Sequence, residues 1–239
     1  MTTVRDETKP EGKWVFDAAV ADAFDDMLAR SIPEYVQMRK LCFSLGCKLV
    51  KDGTAIIDLG CSRGEALAPF VNKFGAFNSF IGVEVSEPML AICRSRFKGL
   101  INVGIVDIRN LDLRASYPPM MASLTLCVLT LQFTPIEYRQ KIVRNVFKHT
   151  VSGGGLLLVE KVMGAFAETN DIMVEEYCKI KEENGYTKDQ IDRKKLALEG
   201  VLVPVTAKWN EELLCSAGFR QVECFWRFLN FAGWLAIKE

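Results

Sequence analysis

The chain has 239 residues, 49% of them hydrophobic, which suffices for one large domain with a sizeable core but is too short for two full enzyme domains. Thirty Lys+Arg balance thirty Asp+Glu, so no general electrostatic field draws the protein to nucleic acid or an acidic membrane. A single histidine, His149, and eight cysteines without a C-x-x-C pair exclude His-based triads and Cys/His zinc sites.

The start, MTTVRDETKPEGK, is polar, and residues 1–13 are expected to form a mobile tail ahead of a single domain spanning 14–239. It has no apolar leader, and no run of 18 or more apolar residues follows it. With most cysteines set in apolar runs as reduced thiols, this points to a cytoplasmic protein outside the membrane. Val15, Phe16, Val20, Phe24, Met27 and Leu28 recur at helical spacing and predict a helix over 14–28, ended by Ser31-Ile32-Pro33. A second helix is expected from Glu34 to Val50.

From Thr54 onward, short β-rich runs alternate with helical ones, the pattern of a parallel sheet covered on both faces. Strands are expected at Thr54–Leu59, Phe80–Val85, Ile101–Ile108, Ala122–Leu129 and Leu156–Val162, with helices at Glu65–Lys73, Pro88–Phe97 and Pro135–Lys148 between them. The alternation then stops. Glu168–Glu183 and Asp189–Glu199 read as charged amphipathic helices within a helical insertion over 164–208, followed by a helix at Trp209–Ala217. Phe219–Phe228 and Phe231–Ile237 lie too close in sequence for a helical crossover and predict an antiparallel pair.

The segment Asp58-Leu59-Gly60-Cys61-Ser62-Arg63-Gly64 carries the chemistry. A strand ending in an acid and followed by Gly-x-x-x-Gly lets backbone approach a ligand at Gly60 and tightens helix packing at Gly64. Ser62 stands where a dinucleotide fingerprint has its middle glycine, so the pattern is that of an S-adenosylmethionine site, which has no pyrophosphate to cradle. Glu84 ends the second strand and is placed to accept from both ribose hydroxyls. Asp107-Ile108 ends the expected third strand, where a carboxylate can accept from the adenine amino group and the aliphatic chain can cover the ring. All three lie at carboxyl ends of neighbouring strands, where open α/β sheets bind ligands.

Arg30-Ser31-Ile32-Pro33-Glu34-Tyr35, Thr130-Leu131-Gln132-Phe133, Glu160-Lys161, Asn184-Gly185-Tyr186 and Ala217-Gly218-Phe219, together with the glycine loop, resemble the carboxy-S-adenosylmethionine synthases over nearly the whole chain after residue 13. The resemblance implies an α/β class I methyltransferase (Rossmann-like) fold. Its sheet would be mostly parallel and seven-stranded, with an N-terminal helical segment and a helical lid between strands five and six, in a protein that forms a homodimer. It further implies conversion of S-adenosylmethionine and prephenate into carboxy-S-adenosylmethionine. It sets Tyr35, Gly60, Cys61, Ser62, Glu84, Val85, Asp107 and Ile108 around the cofactor, with the lid supplied by Tyr186 to Glu199.

Two positions depart from that family. Lys195, or its neighbour Arg193, stands where an arginine grips the transferred carboxylate, and Val128 replaces an asparagine at the end of strand four. Lysine is a point charge and not a bidentate fork. The leading expectation is therefore a methyltransferase acting on a small anionic molecule, with Tyr35, Lys195 and Tyr186 as catalytic residues and Glu160 as a further acid/base candidate. The alternatives are carboxy-S-adenosylmethionine synthesis through Lys195, and cofactor binding without turnover.

Overall fold

The computed structural model describes residues 4–239. Five parallel strands, β1 (Ala55–Leu59), β2 (Ser79–Glu84), β3 (Val106–Asn110), β4 (Ala122–Val128) and β5 (Thr150–Met163), are extended by the antiparallel pair β7 (Gln221–Phe228) and β8 (Phe231–Ile237), of which β8 runs against the five. The sheet order is β3-β2-β1-β4-β5-β8-β7, and the two-residue β6 (Val205–Thr206) pairs with β5 off this path. Every residue of β1 is buried, as its unbroken apolar run requires of a central strand covered on both faces.

Alternating side chains of β1 feed two cores. Ile57 and Leu59 pack with Leu156, Leu158 and Trp234 beneath the helices α7 (Ile136–His149) and α10 (Ala207–Ala217). On the opposite face, Ile56 packs with Leu124, Leu126, Phe70 and Met38 under α3 (Tyr35–Gly46) and α4 (Ala68–Phe74). Between β2 and β3 run α5 (Glu87–Arg96) and α6 (Lys98–Asn102). All eight cysteines are free, and Cys42, Cys61, Cys93 and Cys127 are buried. Among the described residues no helix is long and apolar enough to cross a membrane, and no cluster of three metal-ligating side chains exists.

Three elements differ from expectation. The helix anticipated over 14–28 is two, α1 (Ala18–Asp22) and α2 (Phe24–Ser31). Asp17 caps the first by accepting from Val20 N at 2.9 Å, leaving Trp14 extended so that its N–H reaches Ala197 O at 2.9 Å. The third strand begins at Val106, because 98–102 forms α6 and the chain turns at Gly104 before entering the sheet. Register then places Glu84 opposite Asn110, so the carboxyl end of β3 is Asn110-Leu111 and Asp107 lies lower, opposite Ile81.

The expected tail is the third difference. Residues 1–3 lie outside the described residues, but Asp6 has no exposed surface. It binds the lid formed by α8 (Ala167–Glu183) and α9 (Lys188–Leu198), which follows β5. The Asp6 carboxylate accepts from Lys194 Nζ and Tyr186 Oη, its N–H donates to Asp26 Oδ2 at 2.7 Å, and its carbonyl accepts from Arg30 at 2.6 Å. A polar sequence conceals this because the segment is anchored by one charge and not by an apolar stripe.

Candidate functional site

The glycine loop leaves the top of β1 with Gly60 N and Cys61 N both donating to Val83 O at 2.9 Å. Gly60 (φ +73°) fits tightly because a β-carbon there would stand 2.3 Å from Thr130 Cγ2 and Oγ1. The loop after β4 takes the space a side chain would need, and Gly60 lines the crevice with its backbone. Gly64 (φ +84°) packs the loop onto α5, where a β-carbon would meet Phe97 at 2.5 Å, as the motif implied. Ser62 (φ 47°) and Leu129 (φ 59°) adopt left-handed backbone without being glycine, and both line the same crevice. Such conformations persist only where surrounding structure enforces them.

Glu84 is aimed by three backbone donors. Ser62 N bonds Oε2 at 3.1 Å, while Val85 N and Ser86 N bond Oε1 at 2.8 and 3.0 Å. A half-buried carboxylate held this way keeps lone pairs free for a diol without any rearrangement.

The crevice has two lobes, of about 150 and 360 Å³, which share Trp14, Phe16, Gly60, Ser62, Leu129 and Phe133. The larger lobe has Glu84, Val85, Leu111, Asp112 and Leu113 on its wall, an acid beside a flat apolar slot. The smaller contains Asp58, Tyr35, Arg39, Cys61 and Val128, roofed by Tyr177 and three lysines of β5 and the lid. Asp58 is fully buried, and its Oδ2 has no partner among the described residues. Burial, opposed by Arg39 and reinforced by Glu65 and Glu84, pushes its carboxyl up to about 7. An orphaned buried acid of this kind is relieved by a cationic ligand group, so slot, diol acceptor and acid together fit an adenosyl sulfonium amino acid.

Several expected residues lie elsewhere. Asp107 is exposed and bound to Arg109, and Ile108 packs against Gly82 and Cys61 in the core, because the register of β3 sets both below the crevice. Their place is taken by Leu111–Arg114, where the Arg114 guanidinium holds the Asp112 carboxylate in three bonds of 3.0, 2.9 and 2.6 Å. Lys195 and Arg193 are exposed, the latter bonded to Asp189, and the lysine of α9 that lines the crevice is Lys194. On α9 the buried positions run Gln190, Ile191, Lys194, Ala197, and Lys195, next to Lys194, points about 100° away from it. Tyr186 is buried but spent on Asp6 and Ser31, with the Arg30 guanidinium 4.0 Å above its ring, so it fastens the lid and does not face the crevice.

Glu160 serves the loop after β4 and does not line the crevice. It accepts from Leu131 N and Gln132 N at 2.8 and 2.6 Å, while Gln132 Oε1 accepts from Lys161 N at 2.6 Å. Burial lifts the Glu160 carboxyl to about 8 despite Arg139 and these donors. The T-L-Q-F segment is thus a brace that sets Thr130 against Gly60 and Phe133 between the lobes.

Replacing Glu84 with glutamine is expected to weaken S-adenosylmethionine binding by about tenfold to a hundredfold in calorimetry, the equivalent of a charge-assisted hydrogen bond. An equal loss for an analogue lacking both ribose hydroxyls would remove Glu84 from the ribose.

Fold and crevice together define a class I S-adenosylmethionine-dependent transferase. Residues 56–154 match the methyltransferase domain model. The chain superposes on an O-methyltransferase family protein from Burkholderia thailandensis (TM-score 0.62, 15% identity), covering 93% of this chain and 60% of that one. Human N-acetylserotonin methyltransferase in complex with SAM gives a TM-score of 0.57 at 16% identity, covering 92% of this chain and 55% of that one. The chain is 38% identical to the carboxy-S-adenosyl-L-methionine synthase of Methylococcus capsulatus over 93% of both sequences, and it belongs to the carboxy-S-adenosyl-L-methionine synthase family.

Proposed function

We propose that the protein makes carboxy-S-adenosylmethionine from S-adenosylmethionine and prephenate. The observation that carries this reading is the 38% identity to a synthase of that name across 93% of both chains. The cationic smaller lobe supports it, since the product differs from its precursor by a carboxylate on the former methyl carbon.

When bound, the cofactor supplies a methyl group made acidic by the adjacent sulfonium. The protein has to hold both reactants, exclude water and neutralise carboxylates. Trp14, Phe16 and Phe133 form an apolar wall common to both lobes and keep water out. Burial holds the Tyr35 phenol above its ordinary value despite Arg39, so at neutral pH its hydroxyl donates a hydrogen bond to an anion and does not act as a base. Asp58 and Glu84 bind the cationic and diol ends of the cofactor.

Methyl transfer to a small anion is the second reading, favoured by the exposure of Lys195 where the family's arginine fork would stand. Mass spectrometry of the nucleoside recovered after incubation with both reactants separates the two. A species heavier than S-adenosylmethionine by one CO₂ is expected. Its absence, with S-adenosylhomocysteine accumulating instead beside a methylated acceptor, would exchange the readings.

A further inference from the structure

The smaller lobe carries an imbalance of charge that the cofactor does not correct. Lys161 on β5, Lys181 on α8 and Lys194 on α9 all line it. Two tyrosine rings connect them: Lys161 and Lys181 Nζ lie 4.8 and 5.3 Å from the Tyr177 ring centre, and Lys181 and Lys194 lie 5.5 and 4.3 Å from that of Tyr186. The carboxylate bonded to this trio is Asp6, on Lys194. The side-chain Nζ of Lys161 and that of Lys181 have no hydrogen-bond or ion-pair partner among the described residues.

Cation–π contacts lower the energy of such amines but leave their charge in place. The cost of burial is visible in both, pushed down to about 8, in Lys161 chiefly by burial and in Lys181 by burial together with Lys161 and Lys194. Of the groups facing them, the Tyr177 and Tyr186 phenols are pushed up by burial, Asp6 acts on Lys181 but is bonded to Lys194, and Lys195 pushes Lys161 down further. Two unpaired ammonium groups in a lobe that also receives a sulfonium call for two negative charges from the second ligand. The remaining wall, with Phe24, Met27, Leu28 and Leu198, suits an apolar carbon skeleton.

We propose that Lys161 and Lys181 hold the carboxylates of the second substrate, and that Lys195, at the position of the family's arginine, takes no part in holding them. The proposal rests on the reading of the crevice as a carboxy-transfer site and adds the residues that select the donor. Lys194 is kept from the role by Asp6, and Arg39 by its place beside Tyr35, where its guanidinium lies 6.0 Å from the ring centre.

The test uses the full chain saturated with S-adenosylhomocysteine, titrated calorimetrically with phenylmalonate, phenylacetate and diethyl phenylmalonate, an apolar ring bearing two, one and no carboxylates. Phenylmalonate is expected to bind best and the diester not at all. Lys161→Met and Lys181→Met are each expected to weaken phenylmalonate by about tenfold to a hundredfold, as loss of a charge-assisted hydrogen bond does. Lys208→Met, at an exposed position of α10, is expected to leave it unchanged. Unaltered affinity for S-adenosylhomocysteine in each variant shows that the fold is intact. Equal binding of diacid and diester, or a loss confined to Lys195→Met, overturns the proposal. Lysine-dependent phenylmalonate binding in a protein that forms no carboxylated cofactor sustains the anion site while removing the reaction. Carboxylated cofactor formed equally well by the Lys161→Met/Lys181→Met protein sustains the reaction and removes the site.

Discussion

Asp6→Ala is expected to destabilise the protein by about 3–5 kcal/mol, the loss typical when one member of a buried ion pair is removed and the other stays. Asp6 has no exposed surface, and its carboxylate bonds Lys194 and Tyr186, both in the lid. Burial alone would raise the Asp6 carboxyl, but hydrogen bonds from Lys194, Tyr186 and Thr8 hold it below its ordinary 3.8. A carboxyl depressed on folding contributes stability that is fully present above about pH 3.8 and is lost as pH falls through the lower folded value.

The pair is nevertheless a compromise, since burial lowers Lys194 in spite of its partner. Adding Lys194→Met to Asp6→Ala is therefore expected to recover much of the loss, because an apolar side chain in that position carries no unpaired charge. Denaturant unfolding of the two single variants and the double variant measures this. A single-variant loss under about 1 kcal/mol, the range of exposed pairs, would mean that the segment around Asp6 does not latch the lid in solution.

The second large effect is expected at Gly60. An alanine there meets two penalties, about 1–2 kcal/mol for a left-handed non-glycine residue and an overlap with Thr130, whose β-branched side chain has little rotamer freedom to move away. Because Thr130 follows the braced end of β4 and Ser62 holds Glu84, the disturbance reaches both lobes. S-adenosylmethionine affinity is expected to fall at least a hundredfold by equilibrium titration. Thr130→Gly in the same chain is expected to recover only part, as it removes the overlap and leaves the backbone penalty. Full recovery would show that the overlap alone matters, and no loss in Gly60→Ala would detach the loop from binding altogether.

Much of the candidate site was legible because it is encoded within single elements. Gly60 and Glu84 lie at the carboxyl ends of strands whose apolar runs mark them plainly, and Gly64 packs the loop between them onto α5. Tyr35, Cys61, Ser62, Val85 and Val128 also line the crevice. Asp107 failed because the apolar run 101–108 is divided between a helix and a strand, and local composition does not say where pairing with β2 begins. Lys195 failed by one residue, a rotation of about 100° on α9 that only packing of Ile191 and Ala197 decides. Asp6 had no local signal at all, since a lone acid in a polar segment becomes structural only when a distant lysine is brought to it.

The sequence by itself determined the succession of strands and helices, the glycine loop and its acid, and through whole-chain similarity the family, because these reside in periodicity and short-range spacing. Tertiary structure decided which lysines enter the crevice, which acid is buried, which strand residues reach its rim and how the first residues lock the lid. Those outcomes depend on strand register and helix rotation, which are set by contacts between residues as far apart as Asp6 and Lys194 and leave no mark on either segment read alone.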